Sequence, residues 1–154
     1  MRKKLFGILF ILIIVALGGG KFLIEHTIEN SNRVLYENKN LGIGFHIPED
    51  YKKNPFEVEE EIQENGVVIR FLDPESGALV FSMYYLDKDY WDEEVKENFS
   101  VPYSEVYKDD SSILLCVNVS DVQYDVNDVE QREKYFELWE LKDEVCASLY
   151  FIES

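Results

Sequence analysis

Histidine and cysteine are scarce in this chain, and acidic residues outnumber basic ones two to one. There are two histidines and two cysteines in 154 residues. Zinc sites draw three or four ligands from His, Cys and carboxylate at characteristic spacings. His26 and His46 stand apart from each other and from both cysteines, and no such set forms. A Ser-His-Asp triad would have to recruit His46, yet no serine lies in a Gly-x-Ser-x-Gly elbow, and Ser76 in "PESGA" reads as a turn residue. No cofactor motif, internal repeat or low-complexity segment is present. Four of the 15 basic residues and none of the 31 acidic residues precede Glu25, so the chain from Glu25 onward carries a formal charge of −20. Such a surface repels nucleic acid and anionic lipid headgroups. Cations, basic proteins and neutral sugars remain as suitable partners, and the charge also keeps a protein soluble at an anionic cell surface.

What the chain does have is an apolar start. Met1-Arg-Lys-Lys leads into Leu5 to Leu17 without a charge, then Gly18-Gly19-Gly20. A basic start, an apolar centre and small residues at its end make a secretory signal, with Ala16-Leu17-Gly18 as the cleavage site. The second reading is a retained anchor. Leu5 to Ile24 holds 20 residues whose only charge is Lys21, enough to cross a bilayer core of ~30 Å. Phe22-Leu23-Ile24 favours the anchor, because so apolar a stretch suits a span better than a mature N-terminus. Both readings keep Arg2, Lys3 and Lys4 inside and place the rest outside the cytoplasm. No cysteine follows the run, which excludes a lipoprotein anchor. The organisation expected is a signal or anchor helix over 1–24, a polar connector over 25–32 and an extracytoplasmic domain over 33–154.

That domain reads as short apolar runs separated by turn chemistry. Strands are predicted over 33–37, 41–47, 56–62, 67–72, 79–86 and 113–119, on alternation and β-rich composition. Glu64-Asn65-Gly66 supplies the positive φ angles of a tight hairpin, and Asp73 to Gly77 a second turn. The runs from Phe56 to Leu86 therefore form an antiparallel meander. Lys88 to Asn98 reads as a short helix, and Phe99 to Lys108, with Pro102, as loop or edge strand. The last segment reads as one long helix. Asn127 is its expected N-cap, with Glu130 three residues on and Asp125 and Asp128 beside it. Leu138, Leu141, Val145, Leu149 and Ile152 form its stripe, flanked by Phe136, Trp139 and Tyr150, with glutamates opposite. The fold class is α+β: an antiparallel sheet of about five to seven strands, covered on one face by a long C-terminal helix.

"NLGIGFHIPEDY" (Asn40 to Tyr51) and "SDVQYDVNDVEQREKYFELWE" (Ser120 to Glu140) resemble small exported proteins of low-GC Gram-positive bacteria, which are similar to the PsbP/Mog1 type of α+β sandwich. The resemblance covers roughly 35–152 and implies that fold and an exported location. That family has no established activity, so no catalytic residue is implied. This chain departs from many such proteins in lacking a lipid-attachment cysteine, and Tyr51 stands where tryptophan is common.

Among candidate side chains, Tyr84, Tyr90 and Trp91 cluster near the end of one strand and its following turn. Exposed aromatics stack on sugars or anchor interfaces; the competing reading places such residues in the core. Cys116 and Cys146 form an even pair in an oxidising location, either bridged or left as buried thiols. Asp121, Asp125 and Asp128 suit a carboxylate pair for sugar hydrolysis, against the simpler work of capping a helix. Asp87, Asp89, Asp92 and Glu93 suggest a weak calcium site, but an EF-hand's glycine and final acid are replaced by Asp92 and Asn98. The function expected is a membrane-tethered or secreted binding or accessory domain without catalytic activity, for an envelope protein or wall polymer. The alternatives are an envelope hydrolase and a surface calcium binder.

Overall fold

The structure is a computed structural model and describes residues 33–91 and 93–152. The expected signal or anchor helix and the connector lie outside the described residues. Among the described residues, eight strands and three helices follow in the order β1 (Val34–Asn38), β2 (Ile43–His46), β3 (Glu57–Gln63), β4 (Gly66–Leu72), β5 (Leu79–Asp87), α1 (Glu93–Asn98), β6 (Tyr103–Lys108), β7 (Ser112–Asn118), α2 (Val129–Glu140), α3 (Lys142–Ala147) and β8 (Tyr150–Phe151). The class is α+β. The strands form two antiparallel sheets, β1-β2-β8 and β3-β4-β5-β7-β6, where the sequence pattern had suggested one.

The larger sheet grows from the expected meander, because β3 pairs with β4 and β4 with β5, both antiparallel. Its Glu64-Asn65 turn differs in kind from the expected one. No residue other than glycine has positive φ among the described residues, so Gly66 alone takes it, at 154°. A register shift at Phe71/Leu72 lets consecutive Val80 and Phe81 both enter the core. Bulges of this kind re-aim side chains without ending the pairing.

Both faces of the five-stranded sheet are covered. On the first, Ile69, Phe71, Phe81, Met83, Leu114 and Cys116 pack against Leu35, Tyr36, Ile43 and Phe45 of the small sheet and Tyr135, Leu138 and Val145 of the helices. On the second, Leu86, Ile113, Leu115 and Val117 lie under Trp91, Val95 of α1, Phe99 and Val101. Covering both faces is what permits β7 its unbroken apolar run from Ile113 to Val117, since neither side meets water.

The single long helix of the sequence reading is replaced by two pieces joined at Leu141, the C-cap of α2 and the N-cap of α3. The stripe does not continue helically to Ile152. At Ser148 the chain turns: Ser148 Oγ accepts from the His46 amide at 3.0 Å and donates to the Val145 carbonyl at 2.8 Å. Tyr150 and Phe151 then pair with Gly44 and Ile43. A Cβ at Gly44 would fall within the Tyr150 ring, so glycine there is what lets Tyr150 lie across β2.

The N-cap of α2 is Asp128, one residue beyond the expected Asn127. Its carboxylate accepts from the Gln131 amide at 3.1 Å, as a first-turn cap requires. Asp125 sits upstream, where its carboxylate accepts from the Asn127 amide at 2.9 Å. Asp128→Ala should therefore lower the unfolding free energy by about 1 kcal/mol in urea titration. Asn127→Ala should cost clearly less, and the reverse order would return the cap to Asn127.

Candidate functional site

The aromatic cluster expected at Tyr84, Tyr90 and Trp91 divides. Trp91 is 4% exposed and belongs to the second core. Its ring meets Phe99 and Tyr103 edge-on at 5.2 and 5.3 Å, and its Nε1–H is buried with no hydrogen-bond partner. Trp91 is thus not a surface anchor. The expectation of one covered sheet face left no place to bury it, and α1 with the Phe99–Tyr103 segment supplies that place. Tyr84 is half-buried, edge-on to Phe99 at 5.9 Å. Tyr90 remains exposed.

Tyr84 also lines a shallow cleft of about 250 Å³ with Ser82, Asn118, Ser120, Asp121 and Gln123. Of the three aspartates considered for hydrolysis, only Asp121 lies in this cleft. Asp125 and Asp128 are occupied with backbone amides. A second cleft lies between the β4–β5 turn and the start of α2, lined by Asp73, Glu75, Ser76, Asp128 and Lys134. The Asp73 carboxylate is buried. Burial pushes its pKa up, but the Ser76 hydroxyl, the Glu75 amide and the Lys134 ammonium outweigh burial and hold it below the usual carboxylate value. Ser76 donates to Asp73 and accepts from the Ala78 amide, so its hydroxyl serves the turn. Of the acidic run considered for calcium, Asp87 accepts from the Asp89 amide at 2.8 Å, and Asp92 lies outside the described residues. No three His, Cys, Asp or Glu side chains gather as metal ligands among the described residues. His46 stacks on Tyr150 at 4.4 Å.

A group of five exposed apolar side chains lies elsewhere. Val122, Val126, Val129, Phe136 and Trp139 are all exposed, Val122 by 62% and Phe136 by 47%. Val129, Phe136 and Trp139 are seven and three residues apart, which puts them along one side of the outer face of α2. At 100° per residue, Glu133 and Glu140 fall beside them on the same outer face. Tyr124 ties the preceding loop to this ridge, its ring 5.1 Å from Tyr135 and 5.6 Å from Phe136. Lys142 Nζ lies 5.0 Å from the Trp139 ring centroid at the far end. Phe136 and Trp139 were expected to flank the buried stripe; instead Tyr135 takes the buried place, its hydroxyl donating to the Leu79 carbonyl at 3.1 Å. The valines carried a signal that periodicity does not use. In "DVQYDVNDV" they interrupt a polar, turn-forming stretch where burial gives no reason for them.

Cys116 and Cys146 are both free thiols. Cys116 is buried in the first core and Cys146 packs against the same cluster. No helix among the described residues is long and apolar enough to cross a membrane. No family model, curated protein or solved structure matches the chain.

Proposed function

We propose that this chain is an extracytoplasmic binding domain, held at the membrane by its N-terminal apolar segment or released by cleavage near Gly18. It docks a basic envelope protein through the ridge of Val122, Val126, Val129, Phe136 and Trp139. The ridge is the observation that carries this reading. Five exposed apolar side chains on one helix and its entry loop are more than scattered surface residues, and aromatic anchors dominate interface energetics. The acidic border and the charge of −20 beyond Glu25 favour a partner of opposite sign and speed its encounter. The basic start and apolar run of the N-terminal segment, and the resemblance to exported Gram-positive proteins, support the location.

A photo-reactive residue placed at Trp139 in producing cells tests the reading, with Ile62 as control. Ile62 is 83% exposed, on edge strand β3. The expected result is one adduct at Trp139 with a protein of basic surface, its yield falling at least tenfold in Glu133→Lys/Glu140→Lys. Unfolding free energy should change by no more than about 0.5 kcal/mol in that double variant. Equal labelling at Trp139 and Ile62, or indifference to the charge reversal, would overturn it.

A further inference from the structure

We infer that Cys116 and Cys146 are a disulfide-forming pair, and that the bridge clasps α3 to the middle strands of the five-stranded sheet. Two matching spacings place them. On β7 the side chains of Cys116 and Asn118 share one face, two residues or about 6.6 Å apart. On α3 Lys142 and Cys146 share one face, four residues or about 6 Å apart. Lys142 Nζ donates to Asn118 Oδ1 at 2.7 Å, which brings the start of α3 to the end of β7. The equal spacing then carries Cys146 over Cys116. Both sulfurs meet one apolar cluster, and Val145, fully buried beside Cys146, sets the depth of α3. Ser148, one turn further on, pins the end of the helix to His46 of β2.

The electrostatics of the pair agree with this placement. The Cys146 thiol donates to Cys116, which raises the pKa of Cys146 and lowers that of Cys116; the Lys142 ammonium favours the thiolate form of both. No third ligand joins them among the described residues, so a metal site is not the reading that fits.

The chemistry is thiol–disulfide exchange with a small-molecule or protein disulfide as oxidant. One thiol of the pair, as thiolate, attacks the oxidant's disulfide and expels one of its sulfurs as a thiol. The other, deprotonated in turn, attacks the protein's own sulfur in that mixed disulfide and expels the second. Two S–H bonds are lost, one S–S bond is made, and the oxidant leaves as two thiols. The bridge joins positions 30 apart in the chain and holds the C-terminal segment, whose last strand is only two residues long, to the sheet.

The full-length chain, equilibrated in glutathione redox buffers with and without urea, then acid-quenched, alkylated and weighed intact, tests the pair. A geometry that favours the bridge must make it easier to form in the folded chain than in the unfolded one. By the same cycle the bridge then stabilises the fold. The folded chain should be half-bridged in a buffer about a hundredfold more reducing than the urea-unfolded chain requires. The Tm of the domain should rise by about 10 °C on oxidation, and Cys146→Ser should show no such rise. Equal or harder bridging in the folded chain, bridges only between chains, or the same rise in Cys146→Ser would overturn the inference. Its occurrence in cells rests on the extracytoplasmic reading. A chain bridged in these buffers yet carrying two alkylatable thiols when taken from cells would support the pair and count against that location.

Discussion

Replacing Phe81 by alanine should lower the unfolding free energy by about 3–5 kcal/mol, read as a fall in the urea midpoint with the slope unchanged. Phe81 has no exposed surface and stacks on Phe71, with ring centroids 4.3 Å apart and planes 8° from parallel. Phe56 closes edge-on against both, at 5.5 Å from Phe81 and 5.8 Å from Phe71, and Phe45 of the small sheet meets Phe71 at 6.3 Å. Truncation removes the buried ring and its aromatic pairing, the latter contributing about 0.5–1.5 kcal/mol per pair. The hole is walled by paired strands, which collapse poorly, so most of the cavity cost remains. A domain of this size holds only about 5–15 kcal/mol in all, and the variant should unfold well below the parent's Tm. Phe136→Ala is the contrast. That ring is 47% exposed and should cost about 1 kcal/mol or less. Similar losses in the two variants would mean that the Phe56–Phe71–Phe81 group is not the centre of the core.

The strands were legible because their signals are local. Alternation with turn residues placed the runs ending at Gln63, Leu72 and Asp87 within a residue or two, and the apolar Ile113 to Val117 marked β7. What was lost depended on distant partners. The helical period ran on through Leu149 and Ile152, but the pairing of Tyr150 with Gly44 spans more than a hundred positions. Its only trace in the sequence was a glycine at an alternating strand position, which an opposing ring occupies. Trp91 failed for a related reason. Nothing local shows that a six-residue helix closes the second face of a sheet, and without that cover a tryptophan after a turn looks exposed. The sequence reading set Phe136 beside the buried stripe, although at 100° per residue Phe136 lies about 160° from Leu138 and Tyr135 only about 60°; Tyr135 is the buried one, its hydroxyl donating to the Leu79 carbonyl. The cysteines were visible as a pair, yet their juxtaposition depends on the Lys142–Asn118 contact, which no spacing along the chain contains.

Gly66→Ala should be among the costliest single-atom-scale changes in the domain, at about 3 kcal/mol or more. Gly66 has φ 154°, outside the range L-residues favour, and a Cβ there would overlap the Tyr85 carbonyl oxygen while standing 3.0 Å from Leu86 Cα. Strain at such a backbone position costs about 1–3 kcal/mol, and a forced overlap adds about 1–3 kcal/mol of its own. A side chain could swing away from the intruding methyl; a backbone carbonyl of a central strand cannot. Gly66 faces Gln63 in the hairpin and Leu86 across β5, and the Asn65 carbonyl accepts from the Asp87 amide at 3.0 Å. Any retreat of Tyr85 must therefore move β5, which is bonded to β7 on its other side. Gly42 and Gly77 separate the two contributions. Their φ angles of 69° and 70° are also left-handed, but a Cβ at either meets open space, so alanine there should cost only about 1–2 kcal/mol. Urea titration of the three variants gives the comparison, and hydrogen exchange should show the loss at Gly66 spreading along β4 and β5. If Gly66→Ala cost no more than the other two, the β4–β5 pairing would have to be loose enough to yield at Tyr85. A sheet that yields there would not hold Phe71 and Phe81 in a parallel stack.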